Sequence, residues 1–419
     1  MLGSALLWII IVLSSIFTLF WILVYVFLES PSKKTENSFE YKKVTIAIPA
    51  KDEGKTIYKT LASLSHLHYP KNKIEIIVID DGSKDNTLQE IKRFMRNNPS
   101  LNIQIIKHTA NKGKANSLND ALKLAKGEYF AVLDADTKVE KDSLSSLVKF
   151  FEKCKEKGIK VGAVISHIKV WNVFNFVTSL QRFEYIYAQF MRELMSRVGL
   201  LYITPGAFTL YDTAILRDLG GFDEKTLTED FEIALRLKYN NYEIMKNNKA
   251  ITYTFVPTTF TSFFKQRLRW NLGFIENTKK YFWKFLRKKD VSLFGHVFYP
   301  LTLLSLFILA LYVMIKSLDF VKTTYTHFKI FIYSKSFHLF ESSLRDWLLG
   351  LDYTYVIPLL ILIVMSALIY KWALKEGNEK LDNFIAFAVF FMFYSLFTAF
   401  LWIYSYFYYV FSKRREWFK

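Results

Sequence analysis

Three acidic runs and one basic, aromatic run carry residue types suited to group transfer. Asp80-Asp81-Gly82-Ser83, Asp134-Ala135-Asp136, Thr228-Glu229-Asp230 and Gln266-Arg267-Leu268-Arg269-Trp270 follow in that order. A carboxylate at a strand's end accepts hydrogen bonds from a base or ribose, and Asp81 could accept from a uracil N–H. DDGS also reads as a capping turn, with Asp85 capping the next helix. Asp134 and Asp136 suit Mg2+ or Mn2+, which take one or two carboxylates plus phosphate oxygens; the same spacing occurs in plain turns. Lys112 and Lys114 in NKGKANSLN precede a helix, where ammonium and helix N-terminus both attract diphosphate. A solvated basic turn is the other reading. Glu229 and Asp230 open a helix with apolar positions Ile233, Leu235 and Leu237. They either complement its dipole or supply a general base that takes an acceptor hydroxyl's proton. One base without a covalent partner implies inversion. In QRLRW, Arg269 could pair with a departing diphosphate, Trp270 could stack beneath an acceptor sugar and Gln266 could bond to it. The run also reads as an interfacial amphipathic helix, and both can hold.

These runs need a scaffold. Val44–Pro49 reads as a strand that ends in the breaker Pro49-Ala50. Glu53–Leu64 has helical spacing, and Ile74–Ile79 is a buried parallel strand. Helix, strand and helix follow near 85–96, 103–107 and 115–125, then strand Tyr129–Leu133. This alternation predicts a parallel sheet with helices on both faces and ligands at the strands' carboxyl edge. DDGS and DAD both fall at that edge. The G-x-G-x-x-G and G-x-x-x-x-G-K-[ST] loops of other nucleotide sites are missing, and the seven histidines show no metal-binding spacing.

The chain of 419 residues is 52% hydrophobic, yet its 56 basic and 38 acidic residues lie mostly outside the apolar blocks. That split predicts a soluble domain attached to a membrane domain. Ala5–Leu28 is uncharged and long enough to span, and Lys33 and Lys34 after it put the downstream side in the cytoplasm. Ser292–Ile315, Trp347–Tyr370 and Asn383–Phe411 are further spans. Phe328–Phe340 is too short to span and reads as re-entrant or interfacial. Basic residues between and after the last spans do not settle whether three or four C-terminal spans exist. The expected domains are an N-terminal span over 1–32, an α/β unit over 40–255, amphipathic interface helices over 256–290 and a membrane region over 291–419. The net charge of +18 fits membrane lipids and phosphate rather than nucleic acid. One cysteine, Cys154, excludes an internal disulfide.

NKGKANSLN, LDADT, TPGAFTLY, TEDFEIALRL and VPTTFTSFFKQRLRW together resemble the membrane-embedded, processive family 2 glycosyltransferases. These include cellulose, hyaluronan, chitin and poly-N-acetylglucosamine synthases, and the last are the most similar. The likeness covers about 44–290. It implies an α/β GT-A domain, a nucleotide-diphospho-sugar transferase fold with a mixed sheet, joined to α-helical spans. It implies that Pro49, Ala50 and Glu53 lie beside the nucleotide, with Asp81 on uracil and Lys114 and Arg269 on the diphosphate. Asp134 and Asp136 would hold nucleotide and metal, and Asp230 would be the base. Gly206, Glu229, Gln266 and Trp270 would meet the acceptor. One N-terminal span stands where such proteins usually have two, and no gating-loop motif or cyclic-dinucleotide domain is recognisable.

The resulting expectation is an inverting, processive transferase that uses a UDP-sugar, UDP-N-acetylglucosamine first, to extend a polysaccharide and export it. It would be a multi-pass plasma-membrane protein with a cytoplasmic catalytic domain. A single transfer to a lipid acceptor, such as a polyprenyl phosphate or ceramide-like lipid, is the alternative. A membrane transporter or scaffold that kept a nucleotide-binding domain is a third, non-enzymatic reading and predicts no UDP release.

Overall fold

The computed structural model describes residues 2–29, 40–288, 290, 293–334 and 353–412. Helix α1 (Leu2–Phe27) leads to an eight-stranded sheet of order β3-β2-β1-β4-β7-β6-β8-β5. Its strands are β1 (Val44–Ala50), β2 (Ile74–Asp80), β3 (Ile103–Lys107), β4 (Tyr129–Leu133), β5 (Lys138–Val139), β6 (Val161–Val170), β7 (Ala207–Asp212) and β8 (Glu243–Thr254). The first four are parallel, as their β-branched runs predict. The sheet then departs from the all-parallel expectation. β7 runs antiparallel to β4 and β6, and β8 pairs parallel with β6. This mixed sheet is the one the family likeness implies.

Helices α2 (Ile57–Ser65), α3 (Thr87–Asn97) and α5 (Ser143–Glu156) cover one face. Helices α4 (Lys114–Leu124), α7 (Thr213–Asp218) and α8 (Glu229–Tyr239) cover the other. α2 starts at Ile57, four residues later than its hydrophobic spacing suggests. The cause is local: Gly54 N–H donates to Asp85 Oδ2 (2.9 Å) and Glu53 N–H to Thr87 Oγ1 (2.8 Å). Asp52 takes a positive φ of 55°. These bonds tie the β1–α2 turn to the DDGS loop and keep it out of the helix.

Helix α6 (Phe176–Arg197) and helix α9 (Phe260–Arg287) join this domain to the apolar helices. Those are α10 (Tyr299–Ser334), preceded by a π-helical turn at Phe294–Phe298, then α11 (Tyr353–Gly377) and α12 (Phe384–Phe411). With α1, four helices among the described residues are long and apolar enough to cross a membrane. Residues 328–334 continue α10 instead of forming a separate element; 335–340 and the start of the span expected from Trp347 lie outside the described residues. The turn between α11 and α12 is on the α/β domain's side. Arg182 of α6 pairs with Glu379 (2.6 Å) and with Asp382, and Lys169 pairs with Glu379 (3.4 Å). The end of α1 is fixed there too, by Arg197 donating to the Leu28 carbonyl (2.7 Å).

Candidate active site

The carboxyl edge of the parallel strands gathers the first acidic run. Ala50 closes β1, and its carbonyl accepts from Asp81 N–H (2.9 Å). Asp81 itself is buried. Its two oxygens accept from the Lys112 and Gly113 amides (2.8 and 2.9 Å), and His108 Nδ1 lies 2.8 Å away. His108 is held in turn by Asp120 (Nε2 to Oδ2, 3.2 Å). Asp81 therefore orders the loop leading into α4. A carboxylate offers about four lone-pair sites, so it can still accept from a base. His108 and Asp120 lie outside every motif named above, and only the fold brings them to Asp81.

Lys114 opens α4 and joins two runs. Its Nζ lies 2.6 Å from Asp134 Oδ1 and 3.0 Å from Glu229 Oε1. Burial lowers its affinity for the proton, but Asp134, Glu229 and Asp230 outweigh that and raise its pKa. Over this junction lies Gly206, whose carbonyl accepts from Asp134 N–H (3.0 Å). A bulge places it there. The β4–β7 register shifts at Val132/Leu133, and buried Phe208 adopts a φ of 75°. A Cβ at position 206 would fall 2.5 Å from Lys114 Nζ and 2.6 Å from Asp134 Oδ1.

Asp136 is pushed up to about 7, by burial first and then by Asp134 and Glu53. Repulsion within this set is what a cation relieves. Among the described residues, no three His, Cys, Asp or Glu side chains cluster to enclose a metal. Two carboxylates with Glu53 nearby fit an ion whose other ligands are phosphate and water. Asp230 is pushed up to about 6, by burial first and then by Glu229, with Lys114 and Arg269 opposing. Its Oδ1 accepts from Phe231 N–H (2.8 Å), and its carbonyl accepts from Thr204 Oγ1 (2.6 Å).

QRLRW lies on α9. Arg269 is close enough to act on Asp230 electrostatically. Gln266 and Trp270 are both organised by Arg267, which motif reading passed over. Arg267 donates to Gln266 Oε1 (2.7 Å), its guanidinium lies 4.1 Å from the Trp270 ring centroid, and Glu184 of α6 pairs with it. A second overlooked residue is Gly273. A Cβ there would meet Thr228 Oγ1 at 2.3 Å, so α9 packs directly on the TED turn. Buried Asn277 seals the contact through Thr226 Oγ1 (3.0 Å) and Thr228 Oγ1 (3.1 Å). A lone glycine inside a helical pattern was the available signal. Gly273→Ala is expected to destabilise the protein by about 1–3 kcal/mol through overpacking, read as a lower Tm, and to slow turnover by shifting QRLRW from TED. A parent-like Tm and rate would show that the contact yields freely.

Residues 45–220 match the family described as Glycosyl transferase family 2. The poly-beta-1,6-N-acetyl-D-glucosamine synthase of Staphylococcus epidermidis is 31% identical over 305 residues, 71% of this chain and 70% of that one. The chain belongs to glycosyltransferase family 2. The same synthase from Staphylococcus aureus strain COL is 30% identical to this glycosyltransferase over 286 residues, 68% of this chain and 67% of that one. A solved mannosyltransferase from Pyrobaculum calidifontis, in complex with GDP-Man and Mn2+, aligns with a TM-score of 0.62 at 19% identity. The alignment covers 97% of this glycosyltransferase and 100% of that chain. At that identity the likeness speaks for the GT-A fold alone.

Proposed function

We propose that this glycosyltransferase extends a polysaccharide by inverting transfer from a UDP-sugar, with UDP-N-acetylglucosamine as donor. The observation that carries the reading is the Lys114 junction, which joins the DAD pair to the TED turn beneath Gly206. The 31% identical relative is a poly-beta-1,6-N-acetyl-D-glucosamine synthase, which supports the polymer as product. Pro49, Ala50, Glu53 and Asp81 would frame the nucleotide. Lys114 and Arg269 would take the charge that grows on the leaving diphosphate. Asp230 would take the acceptor hydroxyl's proton as its oxygen bonds to the anomeric carbon and the bond to diphosphate breaks. Gly206, Glu229, Gln266 and Trp270 would position the acceptor. Processive extension and export through the membrane helices belong to the same reading, with the catalytic domain cytoplasmic at the plasma membrane.

Asp134 and Asp136 would hold Mg2+ or Mn2+, which when bound screens the diphosphate charge. Chelation is expected to abolish transfer. Affinity for Mn2+ should fall by about tenfold per pH unit below about 7, because a protonated Asp136 cannot ligate. Titration calorimetry at several pH values measures this, and a flat affinity would remove Asp136 from the ligand set. The kcat/KM profile should carry an acidic limb near 6, since Asp230 must be ionised to act as base.

UDP release over a panel of UDP-sugars, followed by sizing of the product, tests the whole reading. A ladder or polymer supports it. A single lipid-linked sugar overturns it in favour of a lipid acceptor. That alternative draws on one feature: Leu227, Leu268 and Leu272 form an apolar cluster with Tyr408 and Tyr409 beside the TED turn. No UDP release from any donor would return the chain to a binding role.

A further inference from the structure

The loop between β6 and α6 is built inside out. Its sequence is Trp-Asn-Val-Phe-Asn-Phe over 171–176. Trp171, Phe174 and Phe176 are 37%, 67% and 46% exposed, whereas Asn172 is buried. Asn172 is turned away from water, and both asparagines hold a second loop. Asn172 Nδ2 donates to the Val256 carbonyl (2.7 Å), and its Oδ1 accepts from Val256 N–H (2.8 Å). Asn175 Nδ2 donates to the Thr258 carbonyl (2.9 Å), while its Oδ1 caps α6 through Thr178 N–H (2.9 Å). The second loop adds Phe255 and Phe260, 41% and 58% exposed. Five large aromatics are thus displayed on two cross-braced loops and the first residues of the helices that follow them. Water-facing loops show the reverse arrangement, and an apolar patch of this kind marks an interaction surface.

Two observations identify the occupant. The patch is continuous with a membrane-grade helix: Phe260 and Phe263 pack on Phe397 of α12, with ring centroids 5.7 and 5.6 Å apart. The neighbouring α12 side chains Leu396 and Phe400 are each 59% exposed. The patch is also fringed by cations, since the ammonium groups of Lys59 and Lys138 lie over the Trp171 ring. Aromatics with lysines at their edge suit the boundary between acyl chains and anionic headgroups.

We propose that the 171–176 and 254–260 loops form a lipid-binding patch that inserts its aromatics into the headgroup boundary of the membrane crossed by the apolar helices. It would be an anchor of the catalytic domain additional to those helices. The inference does not depend on the identity of the donor or acceptor.

The test uses the full chain in liposomes containing anionic lipid. Phe174→Cys carries an environment-sensitive fluorophore, and Phe255→Cys repeats the measurement from the other loop. Cys154 is buried, and its thiol is pushed up to about 11 by burial, so it stays unlabelled. Lys92→Cys, exposed on α3, is the water-facing control. Expected for both loop labels is strong quenching by lipids with a nitroxide near the headgroup, and several-fold weaker quenching by iodide than at position 92. Iodide quenching equal to the control, with no effect of nitroxide lipid, overturns the proposal. Protection from both quenchers also overturns it, because the patch would then be covered by protein.

Discussion

Asp230→Asn is expected to lower turnover by about 10²- to 10⁴-fold, the usual contribution of a positioned general base, while UDP still binds. The substitution is nearly isosteric. Asparagine keeps an oxygen to accept from Phe231 N–H, and the bond from Thr204 goes to the backbone carbonyl of residue 230. The start of α8 should therefore keep its shape. Asp81 is held by His108 and the amides of Lys112 and Gly113, contacts that the substitution does not touch. What is lost is the capacity to accept a proton. Single-turnover transfer and calorimetric UDP binding separate the two effects. A variant with the parent's rate would remove Asp230 from the chemistry; one that loses UDP binding as well would reassign it to the donor site.

The second large effect is expected at Gly206, where one methyl group should cost on the order of 10²-fold in kcat/KM, as for other displacements near 1 Å. A Cβ cannot fit at 2.5 Å from Lys114 Nζ and 2.7 Å from Asp134 Oδ2. Either the ion pair opens or the β7 bulge retreats. The first moves the cation expected to meet the diphosphate away from the DAD pair; the second breaks the bond from Asp134 N–H to the Gly206 carbonyl that sets the loop. Donor KM should rise as kcat falls. Tm should fall too, by an amount comparable with Gly273→Ala, about 1–3 kcal/mol of overpacking at a buried glycine, so the kinetics are read where the variant is folded. Gly206→Ala with unchanged kinetics would mean that the junction is not used. Loss of folding would be distinguished by circular dichroism of the purified variant.

How much of this was legible depends on where each partner lies in the chain. β1, β2 and β4 were readable because their apolar residues run almost unbroken, as strands buried on both faces require. The mixed half was not. β6 and β8 carry Gly162, Ser166, His167, Lys246 and Asn247 inside the sheet, and these blur any period. Their burial makes sense only with partners in view, such as Lys246 Nζ with His167 Nδ1 at 3.1 Å. The four motifs were visible as clusters of residue types. Their junction was not, since Lys114 reaches Glu229 across more than a hundred residues. Arg267 receives no role from the motif itself because its partner, Glu184, is 83 positions away. The start of α2 failed for the same reason: side chains from the DDGS loop, not local propensity, decide where it begins.

Helix α6 has a consequence for how force passes through the molecule. Arg182 grips the turn between α11 and α12. Two residues on, Glu184 grips Arg267, the residue that holds Gln266 and Trp270. One turn of α6 thus links the turn between α11 and α12 to QRLRW. A displacement of the first would reach the second through ion pairs set less than a helical turn apart.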